Sequence, residues 1–156
     1  MVTGAASGMG EQLAYELARK GSSLVLVDRD ATRLKQVAGT VRSRTTTPVT
    51  TYVVDLADEE ATRGLGDQLA AEHPDIRLLI NNAGVALAGT FDQVDAEEFD
   101  WLLAVNLRAV VTLTRAMLTI SPGFPETLCA WLAHLEHQGK AWGMCRWTDR
   151  GSADIR

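Results

Sequence analysis

A glycine-rich loop near the start of the chain has the composition of an anion-binding site. The stretch TGAASGMG, residues 3–10, contains Gly4, Gly8 and Gly10 and leads directly into a helical pattern. The first N–H groups of a helix have no partner inside the helix and carry partial positive charge. Gly4 allows a tight turn, while Gly8 and Gly10 keep the helix entrance free of side chains that would block a pyrophosphate. The spacing is not the literal G-x-G-x-x-G, and a purely structural turn is the alternative.

Asp28 is the second residue placed to contact such a ligand. It follows the apolar stretch SLVLV and lies eighteen residues after Gly10. A carboxylate at this point can accept hydrogen bonds from both ribose hydroxyls of an adenosine. It would also repel a 2′-phosphate, which favours NAD over NADP. Arg29 has the opposite effect, because a guanidinium can hold that phosphate, so NADP stays the alternative. Taken alone, the sequence DRD at 28–30 would indicate only a solvated turn.

These residues lie where predicted strands and helices alternate. Apolar or β-branched stretches predict strands at 1–3, 23–27, 50–56 and 77–82. Apolar residues at helical spacing predict helices at 8–20, 31–44, 59–72 and 96–118, with Asp30 and Asp58 as N-caps. Strands buried on both faces and separated by amphipathic helices imply parallel crossovers. The sequence therefore predicts an α/β fold, a Rossmann-type doubly wound parallel sheet, incomplete at about four strands.

The pattern changes after Leu118. Residues 119–156 hold both cysteines and three of the four tryptophans, and they lack the α/β alternation. Helical spacing of Leu128, Trp131 and Leu135 predicts one helix at 126–138, and no fifth buried strand is expected. We therefore expect a partial dinucleotide-binding domain over 1–118 and an irregular or helical tail over 119–156.

Composition argues against several classes of protein. Fifteen basic and twenty acidic residues give a net charge of -5, which disfavours nucleic acid as a partner. Two cysteines without a C-x-x-C pair fit a reducing compartment. No secretory leader opens the chain, and no uninterrupted apolar run approaches the ~20 residues of a membrane span, so we expect a cytoplasmic protein without membrane association. No metal site is expected, because Cys129, His134, His137 and Cys145 have no spacing typical of zinc.

Four motifs, in the correct order over residues 1–118, resemble those of the short-chain dehydrogenase/reductase family. TGAASGMG matches its T-G-x-x-x-G-x-G coenzyme loop, and NNAG at 81–84 matches its second motif. VDL places Asp55 where the family has an acidic residue near the adenine ring. VNL places Asn106 where the family has a catalytic asparagine in its long helix.

The resemblance implies hydride transfer between the nicotinamide of NAD or NADP and a small alcohol or carbonyl substrate. Thr3 and Asn81 would help to tie the first and fourth strands together, and Asn106 would bend its helix and hold a water in a proton relay. The helix 96–118 would pack against a second subunit in a homo- or hetero-oligomer. The residues implied in coenzyme binding are Thr3, Gly4, Ser7, Gly8, Met9, Gly10, Asp28, Arg29, Asp55, Leu56, Asn82, Ala83 and Gly84.

The other catalytic residues of the family are not found in this sequence. Its reaction uses a tyrosine, a lysine four residues later and a serine on the fifth strand. Neither Tyr15 nor Tyr52 is followed by a lysine at that spacing. We therefore expect a truncated or frame-altered member, inactive in hydride transfer, whose fourth strand is an uncovered apolar edge. The alternative is a catalytically silent dinucleotide-binding or subunit-interaction protein.

Overall fold

The chain forms one sheet with helices on both faces. The computed structural model describes residues 1–90 and 92–120 together with three short strands at 128–130, 145–147 and 153–155. In chain order the elements are β1 Val2–Thr3, α1 Gly8–Arg19, β2 Leu24–Asp28, α2 Ala31–Arg44, β3 Val49–Val53, α3 Glu59–Glu72, β4 Leu79–Asn81, α4 Ala96–Leu103, a π turn Ala104–Arg108, α5 Ala109–Ile120, β5 Leu128–Ala130, β6 Cys145–Trp147 and β7 Ala153–Ile155.

The strand order confirms the doubly wound parallel fold. The sheet runs β3-β2-β1-β4-β5-β6-β7, and all pairs from β3 to β5 are parallel. The pairs β5–β6 and β6–β7 are antiparallel. Strand β1 lies between β2 and β4, so the chain leaves β1 toward one side of the sheet and later returns to the other. The carboxyl ends of these strands therefore border a topological switch point, where ligands of such sheets bind.

Alternating residues of β2 separate two hydrophobic layers. Val25 and Val27 belong to a cluster with buried residues of α3 and α5, including Leu113 and Met117. Leu24 and Leu26 belong to a second cluster, with buried residues of α1 and α2. Because successive side chains of a strand point to opposite faces, helices cover both faces of the sheet at β2.

Carboxylates fix the starts of three helices. Asp30 accepts a hydrogen bond from the backbone N–H of Arg33, and Asp58 accepts one from that of Ala61, which confirms both predicted N-caps. Asp95 starts α4 in a reciprocal capping box with Glu98, a signal that was present in the sequence as D-x-x-E. The boundaries of α2 and α3 match the predicted ones, whereas β3 ends at Val53 rather than at Leu56.

Residues 119–156 were expected to be irregular or helical, but the parts of this tail that the structure describes beyond Ile120 are strands. A helix over 126–138 is wrong at Leu128–Ala130, which forms β5 in parallel register with β4. The rest of that predicted helix lies outside the described residues. The fourth strand is consequently not an uncovered edge. The sequence did not predict β5 because a short apolar run such as LCA shows no periodicity. The strand can form because the edge of β4 presents backbone N–H and C=O groups that pair with an adjacent strand.

The long helical stretch Ala96–Ile120 is interrupted rather than uniform, since the π turn separates α4 from α5. By length and composition alone, this helix is the single one in the described part of the chain that could span a membrane. The sequence predicted no membrane span. Leu113 and Met117 are nevertheless fully buried in the cluster that α5 shares with α3 and the sheet. Gly66 of α3 allows this close packing, because a Cβ there would lie 3.0 Å from the Cβ of Ala116.

We predict a loss of stability at alkaline pH that depends on Tyr52. Its hydroxyl donates to Glu72 Oε2 at 2.7 Å, and burial together with that bond raises the pKa of Tyr52 to about 12. Because the folded-state pKa lies above the unfolded value of about 10, the contribution is complete below pH 10 and is lost as the pH rises toward 12. Because water screens the partly exposed hydroxyl, we expect the free energy of unfolding to fall by about 1 kcal/mol over that interval, measured by urea denaturation.

Tyr52→Phe should flatten this alkaline decline, while Tyr15→Phe should preserve most of it because Tyr15 has a smaller shift in pKa. An unchanged alkaline slope in Tyr52→Phe would contradict the assignment.

Candidate functional site

Four loops meet at one edge of the sheet. They follow the carboxyl ends of the parallel strands β1, β2, β3 and β4, and parallel strands end at the same edge. The loop segments are residues 4–7, 29–30, 54–57 and 82–85. All the residues that the sequence analysis assigns to coenzyme binding therefore lie on this edge or in the first turn of α1.

The amino end of α1 has no side-chain cap. Its N-cap residue, Ser7, has an extended backbone, and the Ser7 side chain makes no capping hydrogen bond. The preceding turn needs glycine at Gly4 (φ 64°) and Gly8 (φ 55°), where other residues would be strained. A Cβ at Gly8 would meet no atom within 4 Å, so this position opens toward solvent. The arrangement leaves backbone N–H groups available to an anion.

Gly10 has a different role from the one expected. A Cβ on Gly10 would overlap the carbonyl oxygen of Gly4 and lie 2.6 Å from Asn82 Nδ2. A Cβ on Gly4 would lie 2.8 Å from the Cα of Ala83. Gly10 therefore permits close packing between α1 and the loops after β1 and β4, rather than keeping the helix entrance bare. The sequence did not reveal this because the neighbours of Gly10 come from distant parts of the chain.

Thr3 and Asn82 join the loops after β1 and β4. The Thr3 hydroxyl accepts from the backbone N–H groups of Asn82 and Ala83, each at 3.0 Å, and donates to the Ile80 carbonyl at 3.4 Å. The Asn82 side chain donates to the carbonyls of Thr3 and Gly4 at 3.0 and 3.2 Å. The expected contribution of Thr3 is confirmed, and Asn82 is the asparagine that acts with it.

Asn81 does not contribute a side-chain link between the first and fourth strands. Its amide is buried and donates to Thr114 Oγ1 of α5 at 3.4 Å. The two asparagines alternate along the end of β4, so one side chain faces the α5 layer while the next faces β1. The side-chain link expected of Asn81 is therefore made by Asn82.

Asp28 connects the glycine loop to the start of α2. Its Oδ2 accepts from the backbone N–H of Ala6 at 2.9 Å, and its Oδ1 accepts from that of Asp30 at 3.0 Å. The carboxylate is thereby held in a fixed orientation at the edge of the site. Two carboxylate oxygens offer about four lone-pair directions, so capacity for ribose hydroxyls remains.

The segment after β3 divides into an exposed and a buried residue. Asp55 is exposed, and its Oδ1 accepts from the N–H of Ala57 at 2.9 Å. Leu56 is buried and packs in the cluster between the sheet and α3. A coenzyme contact of Leu56, expected from the resemblance, would therefore involve its backbone rather than its side chain.

Asn106 lies in the π turn and fixes the segment after NNAG. Its Oδ1 accepts from the N–H of Val85, and its Nδ2 donates to the carbonyl of Val85, both at 2.8 Å. The turn is closed by the N–H of Ala109 bonding to the carbonyl of Ala104. The expected irregularity of the helix at Asn106 is present, and π turns inside α-helices are frequent at functional sites.

The two tyrosines are engaged elsewhere. The Tyr15 hydroxyl donates to Glu11 at 2.7 Å, and Tyr15 packs with the cluster of α1 and α2, on the sheet face opposite to α5. The Tyr52 hydroxyl is bound at the carboxyl end of α3, beside Glu72 and His73. Residues 1–90 and 92–120 contain no group of three His, Cys, Asp or Glu side chains suited to a metal ion. The side chains of Cys129, His134, His137 and Cys145 lie outside the described residues.

Known proteins share this arrangement. Residues 1–121 match the sequence model of the family described as short chain dehydrogenase. The chain is 40% identical over 115 residues to "Probable oxidoreductase EphD" of Mycobacterium tuberculosis, a match that covers 74% of this chain and 19% of that protein. It is 35% identical over 119 residues to sulfoacetaldehyde reductase 2 of Chromohalobacter salexigens, covering 76% of this chain and 46% of that protein.

Solved structures agree with the sequence matches. A short-chain dehydrogenase from Sphingobium yanoikuyae, in complex with NADPH, superposes with a TM-score of 0.72 at 36% identity, covering 76% of this chain and 46% of that one. The bulky-bulky ketone specific alcohol dehydrogenase from Comamonas testosteroni gives 0.72 at 33% identity, covering 76% and 47%.

The chain spans 19% of the length of the mycobacterial relative and about half the length of the other three proteins. The family match contains the glycine loop, Asp28, the NNAG segment and Asn106. With these residues at one edge of a doubly wound sheet, the chain belongs to the short-chain dehydrogenase family of oxidoreductases.

Proposed function

We propose that this chain binds a nicotinamide adenine dinucleotide, NAD or NADP, at the carboxyl edge of its sheet. The pyrophosphate would accept hydrogen bonds from the uncapped N–H groups of α1, and the adenosine ribose would lie at Asp28. The observation that carries the proposal is the bond between Asp28 and the N–H of Ala6, because it places the ribose acceptor directly beside the anion-binding loop. Family relatives in complex with NADPH and NADP support it.

The associated reaction is hydride transfer between nicotinamide and an alcohol or carbonyl carbon, as in the oxidoreductases of this family. We propose that the 156-residue chain itself does not catalyse this step. A general acid or base near the reacting oxygen is needed, and both tyrosines of the sequence have hydroxyls bound elsewhere. Asn106 is the one member of the family's catalytic set that the chain retains. A small alcohol or carbonyl substrate, truncation or frame alteration, and a cytoplasmic location stay predictions.

A second candidate function is association with another subunit through the helix Ala96–Ile120. Four apolar side chains at intervals of four residues along α4, the π turn and α5 form one exposed stripe. A fifth apolar side chain, near the end of α5, extends it. Their exposed fractions range from 39% to 58%. The stripe consists of Phe99, Leu103, Leu107, Val111 and Leu118. An apolar face of this length on a helix suits packing against a second copy of the same helix.

Gly8→Ala tests the dinucleotide site. A methyl group at this open, positive-φ position would stand at the helix entrance, and we expect the dissociation constant for NADP or NAD, measured by calorimetry, to rise at least about ten-fold. Gly21→Ala is the matched control, because Gly21 (φ 82°) also has open space around its Cβ direction but lies at the other end of α1. Both variants carry a similar backbone strain of about 1–2 kcal/mol. Equal loss of binding in both would refute the proposed pyrophosphate position.

Catalysis can be tested with the unaltered chain. Loss of a general acid typically costs about 10²–10⁴-fold in rate. Under identical conditions, with a panel of aldehydes and ketones that includes the bulky ketones for which the Comamonas enzyme is specific, we expect NADPH or NADH oxidation at least about 10²-fold slower than that by the Comamonas enzyme. A rate within ten-fold of that enzyme would disprove the proposed inactivity while leaving dinucleotide binding intact.

Leu107→Glu tests the association. Leu107 is 54% exposed in the middle of the stripe, so a charge there would oppose helix–helix packing. We expect sedimentation equilibrium to show an oligomer for the unaltered chain and a monomer for Leu107→Glu. Val53→Glu is the control, since Val53 is 56% exposed on β3, away from the stripe. A monomeric unaltered chain, or equal effects of the two substitutions, would argue against this surface.

A further inference from the structure

Arg29 is held by an aromatic side chain from a distant helix. The guanidinium carbon of Arg29 lies over the ring of Trp101, 6.0 Å from the ring centre. Arg29 is exposed, and it makes no hydrogen bond or ion pair with any of residues 1–90 and 92–120. The contact with Trp101 is therefore what restrains this cation in the described part of the chain.

The pair Arg29–Trp101 lies beside the place proposed for the adenosine. Arg29 directly follows Asp28, the proposed ribose acceptor at the carboxyl end of β2. Trp101 is half-buried on α4 and lines a surface hollow of about 570 Å³ together with Ala57 and Arg108. Ala57 follows β3, so the pair spans the carboxyl ends of β2 and β3. A group attached to the ribose at Asp28 would meet the guanidinium at this point.

The chemistry of the pair suits a phosphate monoester. A cation over an aromatic ring is attracted to the ring face, and the N–H groups of a guanidinium lie in its own plane. The contact with Trp101 therefore leaves N–H groups free to donate to phosphate oxygens, including in a two-bond arrangement. Holding the long side chain in advance also reduces the conformational entropy lost when a ligand binds.

Asp28 opposes the same phosphate by charge repulsion. Each of its two oxygens already accepts a hydrogen bond from a backbone N–H, from Ala6 and from Asp30. The partial positive charges of these N–H groups offset part of its negative potential. Charge-assisted bonds from a positioned guanidinium are stronger than neutral ones, so a fixed Arg29 counteracts the repulsion by this carboxylate.

We propose that Trp101 is a positioning residue for coenzyme selectivity: by holding Arg29 at the edge of the adenosine site, it raises the affinity for NADP, which carries a 2′-phosphate, relative to NAD. The inference rests on the proposed dinucleotide binding and extends it to the choice of coenzyme. Trp101 acts through Arg29 and does not itself contact the phosphate.

The test is calorimetric titration of NADP and NAD into the unaltered chain and into Trp101→Leu, Trp101→Phe, Arg29→Leu and the Trp101→Leu/Arg29→Leu double variant. Trp101→Leu should weaken NADP binding about two- to five-fold and leave NAD binding unchanged within two-fold. Trp101→Phe, which keeps an aromatic face, should retain most of the NADP affinity of the unaltered chain. Arg29→Leu should weaken NADP binding about ten-fold or more, and adding Trp101→Leu should then have no further effect.

Controls separate this inference from general electrostatics and from the proposed function. Lys35→Met removes one positive charge from an exposed position of α2 and should change the NADP to NAD ratio less than Arg29→Leu does. Equal weakening of both coenzymes by Trp101→Leu, or an undiminished effect of Trp101→Leu in the Arg29→Leu background, would overturn the role of Trp101 while leaving dinucleotide binding in place. A folded chain that binds neither coenzyme would overturn both proposals.

Discussion

The candidate site depends on the close approach of the loop after β1 to the segment after β4. Gly4 and Gly10 permit this approach, because a Cβ on either residue would collide with backbone or with Asn82. Thr3 and Asn82 then fasten it with hydrogen bonds that use backbone groups of both segments. This network adds to the ladder hydrogen bonds that β1 makes with β2 and β4. The same contacts that stabilise the fold thus orient the amino end of α1 at the edge of the sheet.

Contacts within the chain orient the polar side chains of the candidate site. Asp28 is oriented by two backbone N–H groups, and Asn106 is oriented by both polar groups of Val85. A coenzyme that enters such a site has little protein reorganisation to drive, so more of its contact energy contributes to binding. Chemistry requires a further group that moves a proton, and neither tyrosine hydroxyl is directed there. The proposed coenzyme binding and the proposed lack of hydride transfer therefore depend on different residues of this chain.

Local patterns predicted the elements well, and contacts between distant segments account for most errors. Asp30 and Asp58 identified helix starts because a capping side chain bonds to the backbone three residues ahead. The spacing of apolar residues likewise gave the bounds of α2 and α3. The role of Gly10, the choice between Asn81 and Asn82, and the Arg29–Trp101 contact all depend on neighbours far away in sequence. Strand β5 escaped prediction because three apolar residues show no period.

The π turn gives the helix Ala96–Ile120 one place where a residue can be lost without changing the faces of its two parts. Such a turn holds one residue more than a regular helical turn, and each residue of an α-helix advances the following ones by about 100° around the axis. Deleting a single position between Ala104 and Arg108 would let this turn close as a regular α-helical turn, so Leu113 and Met117 would keep their places in the core. A deletion between Leu113 and Met117, within α5, would instead rotate Met117 out of the core by that angle. The helix therefore tolerates the loss of one residue better at the π turn than in α5.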